Sequence, residues 1–396
     1  MFETLLAPYT ILDKLAATKK PCTIVADADI LDAIKQRQTS EGARMLTVEH
    51  VMSGRTFTPQ PGPYFVVTSK SEHEVKRVLR NGLAENGQHP AIYGALHDLA
   101  PQAVAQHDSL SRRGMEAAYE ALRTQPAFCI TCTPRSGSQH LAREMRNHML
   151  GHPLEHIRPP LIELMKTDSR GRRFGDFDLA HWLASLLHHG TENGVFGTKL
   201  ISHFVRDIDV HATPRERAVF DELLGRMPVI YLLRGNKMLQ ALSRDRAKAT
   251  KSYHLFDEGK REQYKEKSQE WDYSFQRISR EIQALYKEEH YLHQRILQVV
   301  PKDRLMVADY EDMDVAETVR FVELQLGVSA GKRQETLTTN VLRDDLTKAH
   351  AEAFMRDYTA AFKADDPTTH LPHQVRIAPE SLVLAPNSAP AALALP

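Results

Sequence analysis

Residues 128–150 read FCITCTPRSGSQHLAREMRNHML, in which an apolar run meets a short polar turn and then an amphipathic stretch. The apolar run favours a buried strand at 128–131. After the turn, Leu141, Met145 and Met149 recur at a spacing of four residues, which predicts a helix with one apolar side. The order of strand, turn and helix indicates an α/β fold with a helix-flanked parallel sheet.

The polar turn at 133–139 is a candidate anion-binding loop. Such a turn directs consecutive backbone N–H groups toward one point at the positive end of the following helix. Gly137 permits a tight backbone, and Arg135 supplies a forked cation that suits an oxyanion. An ordinary polar turn before a helix explains these five residues equally well. The candidate binding residues are Arg135, Ser136, Gly137, Ser138 and Gln139.

This loop lacks the features of an ordinary P-loop nucleotide hydrolase. That class carries G-x-x-x-x-G-K-[ST], in which the lysine reaches the phosphates and the hydroxyl binds Mg²⁺. The residues TPRSGSQ at 133–139 have neither the lysine nor the spacing. ATP hydrolysis is therefore disfavoured. A kinase-like phosphotransferase stays open as an alternative, and it predicts Mg²⁺-dependent binding of ATP.

Two α/β regions are predicted along the chain. Alternating apolar and helix-like stretches predict a small α/β domain with a parallel sheet over residues 1–105. Its first strand runs into ADADIL and not into a glycine-rich dinucleotide turn, so we expect a role in recognition or scaffolding. A helical linker at 106–125, the main domain at 126–362 and a mobile Pro- and Ala-rich tail at 363–396 follow. The predicted strands are 23–26, 44–48 and 64–68, then 128–131, 194–202, 229–233 and 304–308.

The charge balance limits what the chain can bind. Lys plus Arg and Asp plus Glu each total 51, so no global positive field would hold nucleic acid or an anionic membrane surface. No apolar run approaches the roughly 18 residues of a membrane span. The amino-terminal stretch contains Glu3 and Asp13 and lacks the basic and apolar segments of a signal peptide. We expect a cytoplasmic protein that binds anions locally.

Cysteines and histidines show no metal-binding spacing. Cys129 and Cys132 lie three residues apart in a predicted strand, so their side chains would point to opposite faces. The 20 histidines contain no H-E-x-x-H pattern. We expect buried thiols and no bound metal.

Four motifs, met in a fixed order, carry the functional prediction. After CTPRSGS come GHPLE at 151–155, GVFGTKL at 194–200 and YLLRGNKMLQALS at 231–243. In this order, the four motifs resemble those of the bacterial trehalose 2-sulfotransferase family, and the resemblance covers residues of about 126–330. The resemblance implies a P-loop-like sulfotransferase domain that uses 3′-phosphoadenosine 5′-phosphosulfate as donor. The acceptor would be a hydroxyl of a carbohydrate or another small molecule.

The resemblance also assigns residues to the two ends of the donor. Residues 135–138 would hold the 5′-phosphosulfate, and Arg234 with Ser243 would hold the 3′-phosphate. A strand end that delivers Arg234 and a helix that places Ser243 about two turns later suit this role. Together these residues would clamp both phosphates of one nucleotide.

Sulfuryl transfer needs an in-line hydroxyl, a base that removes its proton, and cations that stabilise the departing phosphate. By the resemblance, Glu155 would be the base and Arg135 one of the cations. Lys199 would face the transferred group or the acceptor, and a surface lysine is the equal alternative.

Gln139, His140 and His156 depart from the family's pattern after RSGS and GHPLE. They favour, as the alternative hypothesis, a catalytically inactive nucleotide-binding module of the same fold. A homodimer stays open as the oligomeric state.

Overall fold

The computed structural model describes residues 11–18, 20–37, 43–54, 58–69, 72–95, 120, 122–157, 161, 162, 165, 179–250, 267–333 and 344–363. Most of the predicted linker at 106–125 and nearly all of the predicted tail at 363–396 lie outside these residues. The strands are β1 Cys22–Ala26, β2 Ala43–Thr47, β3 Tyr64–Val67, β4 Ile92–Gly94, β5 Ala127–Cys132, β6 Thr191–Glu192, β7 Val195–Ile201, β8 Val229–Leu233 and β9 Leu305–Asp309.

The helices alternate with these strands, as in an α/β fold. They are α1 Ile11–Ala16, α2 Ala28–Arg37, α3 Val48–Met52, α4 Glu72–Glu85, α5 Ser138–Asn147, α6 Leu179–Gly190, α7 Ser202–His211, α8 Pro214–Arg226, α9 Lys237–Thr250, α10 Phe275–Val299, α11 Val315–Leu326 and α12 Asp345–Lys363. The predicted helix-flanked parallel fold is confirmed.

The amino-terminal sheet is parallel, with strand order β2-β1-β3-β4. Thr23 of the central strand β1 pairs with Arg44 on one side and with Tyr64 on the other. Every residue of β1 is buried, as expected for a parallel strand covered on both faces. The predicted strands 23–26, 44–48 and 64–68 agree with β1, β2 and β3 to within one residue.

Asp27 follows β1 directly. Its carboxylate accepts hydrogen bonds from the Thr68 hydroxyl at 2.9 Å and from the Ser69 backbone N–H at 2.6 Å. The first of the two aspartates in the ADADIL segment therefore joins the ends of β1 and β3.

The second sheet has the strand order β6-β7-β5-β8-β9. Strands β5, β8 and β9 are parallel neighbours, with Cys132 beside Leu232 and Leu232 beside Ala308. Because their carboxyl ends meet at one edge of the sheet, the residues after each strand come together there. This edge carries the loop after β5, Arg234 after β8 and Tyr310 after β9.

The chain divides into two compact units. The first comprises 1–127, 151–199 and 204–227, and the second comprises 128–150, 200–203 and 228–396. The anion loop, Arg234 and Ser243 belong to the second unit, whereas Glu155 and Lys199 belong to the first. The domain boundaries predicted from the sequence stay predictions.

The core of the second unit packs α9 against α10 and α12. Helix α10 begins after the N-cap Ser274 and buries one apolar face along its length. The members of this core are Met238, Ala241, Leu242, Trp271, Ile278, Ile282, Leu285 and Phe354.

The cysteines of β5 are part of the interior. Cys129 and Cys132 are buried free thiols, as predicted. Burial raises the pKa of the Cys129 thiol far above its ordinary value.

Candidate functional site

The loop between β5 and α5 bends sharply at two residues. Arg135 has φ of 66° and Gly137 has φ of 90°, both in the left-handed region that favours glycine. Gly137 is the N-cap of α5 and offers no side-chain oxygen to the first N–H groups of that helix. A helix start that lacks a side-chain cap is an arrangement in which backbone N–H groups can bind phosphate or sulfate.

Tyr310, the residue after β9, packs against this loop. A Cβ atom added at Gly137 would lie 2.1 Å from the Tyr310 ring. The guanidinium carbon of Arg234 lies 5.4 Å from the centre of the same ring, a cation–π contact. The Tyr310 N–H donates to the Leu233 carbonyl at 2.9 Å. Tyr310 therefore contacts both predicted phosphate motifs.

Gly137→Ala is expected to destabilise the protein more than a matched glycine substitution. Gly327 also has a positive φ, of 63°, but a Cβ there would meet nothing within 4 Å. An alanine at either position carries a left-handed strain of about 1–2 kcal/mol. The clash with Tyr310 should add about 1–3 kcal/mol at Gly137. Urea denaturation measures both losses, and equal losses would mean that the ring does not restrain the loop.

The structure brings the two predicted phosphate motifs together. Arg135 Nε donates a hydrogen bond to Ser243 Oγ at 3.0 Å. Arg234 Nη1 donates to the backbone carbonyl of Arg135 at 2.9 Å. Each motif therefore supplies an arginine that bonds to the other motif. This is the convergence that a clamp on one nucleotide requires.

Helix α9 also holds the first half of the loop. Gln240 lies one turn before Ser243, so both side chains point to the same side of the helix. Gln240 is fully buried, and its Nε2 donates to Thr133 Oγ1 and to the Pro134 carbonyl, both at 2.8 Å. The sequence analysis predicted the role of Ser243 but gave none to Gln240.

The turn from β8 to α9 is fixed by a buried lysine. Lys237 Nζ donates to the Arg234 carbonyl at 2.6 Å and forms an ion pair with Glu289 of α10. Asn236 Oδ1 accepts from the Leu239 N–H at 3.0 Å and caps the start of α9. These contacts hold the backbone from which Arg234 extends, and the sequence analysis did not predict them.

The side chains of the loop differ in exposure. Arg135, Gly137 and Gln139 are half-buried, whereas Ser136 and Ser138 are buried. Ser136 Oγ makes no hydrogen bond to the described residues. An unsatisfied buried hydroxyl costs about 1–3 kcal/mol, and an oxyanion that reached it would remove that cost.

Two carboxylates, one at the end of β9 and one in the turn after it, lie beside Arg234 and Gly235. Arg234 Nε donates to Glu311 Oε1 at 3.2 Å. The Gly235 N–H donates to Glu311 Oε2 at 2.9 Å and to Asp309 Oδ1 at 3.3 Å. Burial and the hydrogen bond with Asp309 raise the pKa of Glu311, while Arg234 opposes that rise. No local sequence pattern predicted this pair of carboxylates.

The segment GHPLE runs beside β7 in the first unit. Gly151 has φ of 69°, and a Cβ there would lie 2.6 Å from the Val195 carbonyl oxygen. Only glycine allows the chain so close to the strand. Further along, Leu154 forms a parallel bridge to Thr198 and accepts a hydrogen bond from the Lys199 N–H at 2.8 Å.

This pairing sets Glu155 next to Lys199. Lys199 Nζ lies 3.2 Å from Glu155 Oε1, with side-chain exposures of 1% for the lysine and 16% for the glutamate. The alternative of a surface lysine is therefore wrong, because Lys199 is buried in an ion pair. A buried lysine needs such a partner.

The comparison with protein families decides the class of the chain. A model described as Stf0 sulphotransferase matches residues 127–352, from β5 into α12 and more than half of the chain. This protein belongs to the Stf0 sulphotransferase family. The suspected resemblance is thereby confirmed, and membership supports sulfotransferase activity in general. A search of curated proteins found no match.

Two histidines that were expected to depart from the family's pattern have defined surroundings. His140 lies edge-on to Tyr310, with ring centroids 6.4 Å apart. His156 is buried, and its ring lies 5.0 Å from that of Phe196. Within the described ranges, no group of three or more His, Cys, Asp or Glu side chains could hold a metal ion. None of the helices described for this family member is long and apolar enough to span a bilayer.

Proposed function

We propose that this protein transfers a sulfuryl group from 3′-phosphoadenosine 5′-phosphosulfate to a hydroxyl of a carbohydrate or another small acceptor. The observation that carries the proposal is the pair of hydrogen bonds between the two phosphate motifs. Arg135 bonds to Ser243, and Arg234 bonds to the Arg135 backbone. Two arginines and a helix start in one place suit a ligand with two separate anionic groups.

The 5′-phosphosulfate end would lie at the loop. Backbone N–H groups of 136–139 and the Arg135 guanidinium would bind its oxygens. The glycine N-cap and the buried Ser136 hydroxyl, which has no hydrogen bond to the described residues, fit an oxyanion there.

The 3′-phosphate end would lie at Arg234 and Ser243. The fork of Arg234 matches phosphate geometry. Its backbone is fixed by Lys237, so little conformational entropy is lost on binding. A nucleotide without the 3′-phosphate lacks the group that this arginine would bind.

The transfer forms a bond between sulfur and the acceptor oxygen and breaks the bond between sulfur and the 5′-phosphate oxygen. Glu155 would take the acceptor proton as the general base. Arg135 would stabilise the charge that develops on the departing phosphate oxygen. Lys199, whose ammonium bonds to one carboxylate oxygen of Glu155, would orient the base and add positive charge.

A second candidate function is a catalytically inactive nucleotide-binding module of the same fold. The residues Gln139, His140 and His156, which differ from the family's pattern, favour it. Such a module would bind the donor without transferring sulfate.

An assay of sulfate transfer distinguishes the two functions. It measures transfer from ³⁵S-labelled donor to a panel of carbohydrates, with a metal chelator present. The proposal predicts labelled product from at least one acceptor. Adenosine 5′-phosphosulfate, which lacks the 3′-phosphate, is the matched donor and should be used far less well. Donor binding with no labelled product across a broad panel would favour the inactive module.

A further inference from the structure

Glu311 bonds to Arg234, the arginine that would bind a 3′-phosphate. Its two carboxylate oxygens accept separate hydrogen bonds, one from Arg234 Nε and one from the Gly235 backbone N–H. A guanidinium and a neighbouring backbone N–H form a typical oxyanion site. In this structure, the Glu311 carboxylate therefore binds where an anionic ligand could bind.

The glutamate is the more exposed partner of this contact. Its side chain is 27% exposed, against 9% for Arg234. Arg234 is also held by the Arg135 carbonyl and by the Tyr310 ring. Glu311 sits in the turn after β9, where its side chain can turn toward solvent, whereas Arg234 keeps two other contacts when the glutamate moves away.

Asp309 can keep its own hydrogen bonds if the Glu311 side chain moves away. It accepts hydrogen bonds from the N–H groups of both Gly235 and Glu311. Gly235 would therefore keep an acceptor when the glutamate side chain moves away. The exchange of Glu311 for another anion would therefore not leave the Gly235 N–H without a hydrogen-bond acceptor.

We propose that Glu311 is an internal competitor for Arg234, which the donor's 3′-phosphate displaces and which returns to help expel the bisphosphate product. This inference rests on the proposed function. Both anions cannot bond to Arg234 Nε at once, and like charges held side by side repel. Glu311 lowers the affinity for adenosine 3′,5′-bisphosphate and speeds its dissociation, because affinity differences between related complexes arise mainly in the dissociation rate.

The test measures the binding of two nucleotides to the full chain by titration calorimetry and stopped flow. The nucleotides are adenosine 3′,5′-bisphosphate and adenosine 5′-monophosphate, which differ only in the 3′-phosphate. The variants are Glu311→Gln, Glu311→Ala and, as a matched charge control, Asp312→Asn. Asp312 is an exposed neighbour on the same turn.

Both Glu311 variants are expected to bind the bisphosphate roughly 5-fold more tightly, mainly through slower dissociation, since an ion pair with one partly exposed partner contributes modestly. Their affinity for the monophosphate and the affinities of Asp312→Asn should stay within about 2-fold of the wild type. Because two Glu311 variants are measured, the test still gives a result if one of them fails to fold.

Two outcomes would overturn the inference in different ways. Equal or weaker binding of the bisphosphate by both Glu311 variants would show that the glutamate positions Arg234 and does not compete for it. If the wild type did not prefer the bisphosphate over the monophosphate, the proposed function itself would fail, and the inference with it.

Discussion

Glu155→Gln is expected to lower kcat for sulfuryl transfer by about 10²- to 10⁴-fold, the range that a general base contributes. The amide keeps the size of the side chain but cannot accept the acceptor's proton. The affinity for adenosine 3′,5′-bisphosphate should change by less than about 3-fold, because the proposed base does not bind the nucleotide. Single-turnover kinetics with labelled donor measure the first quantity, and calorimetry measures the second.

The ion pair with Lys199 requires a second variant. Removing one partner of a buried pair can destabilise a protein by about 3–5 kcal/mol, and Lys199 is 1% exposed. The double variant Glu155→Gln with Lys199→Met removes both charges and avoids an unpaired buried lysine. It should regain stability but stay inactive. Recovery of transfer in the double variant would show that Glu155 serves only to neutralise Lys199.

Glu192→Gln provides a matched control for the base. Glu192 lies in the same unit, pairs with His152 at 3.7 Å and is 27% exposed. Its replacement by the amide should leave kcat within about 3-fold of the wild type. A loss comparable with that of Glu155→Gln would mean that activity tracks the charge of the unit and not one base.

Arg234→Met is expected to weaken the binding of adenosine 3′,5′-bisphosphate by about 10²-fold, the effect of losing charge-assisted hydrogen bonds to a phosphate. Methionine keeps an apolar stem of similar length. Binding of adenosine 5′-monophosphate should weaken far less, because it has no 3′-phosphate. The ratio of the two dissociation constants therefore measures the proposed role directly.

Arg234 also bonds to the Arg135 carbonyl and to Glu311, so the variant has structural consequences as well. The double variant Arg234→Met with Glu311→Gln removes the carboxylate that would otherwise lose its partner. It should remain as weak toward the bisphosphate as the single variant. Arg320→Met, at an exposed position on α11, is the matched arginine control. Equal weakening toward both nucleotides would contradict a role at the 3′-phosphate.

Local sequence patterns were sufficient for the strands and for the turn between β5 and α5. Apolar runs of four to six residues located β1, β3, β5 and β8 to within one or two residues, because buried parallel strands are continuously apolar. The family resemblance supplied Arg234 and Ser243, and the structure brings both to Arg135. These predictions needed only neighbouring residues or a known motif.

Long-range neighbours were not predictable in this way. Tyr310, Asp309 and Glu311 reach the loop because β9 lies beside β8, and β8 beside β5. Strand order is set by the packing of the whole sheet and leaves no trace in local periodicity. The choice between a buried and a surface Lys199 stayed open in the sequence for the same reason, since its partner Glu155 lies 44 residues away.

The most direct test of the account is a calorimetric comparison of nucleotides on the wild-type protein. The two-motif clamp predicts that adenosine 3′,5′-bisphosphate binds at least about 10-fold more tightly than ATP, a difference of about 1.4 kcal/mol, and that Mg²⁺ does not change this order. Tighter binding of ATP in the presence of Mg²⁺ would contradict the clamp and favour a phosphotransferase.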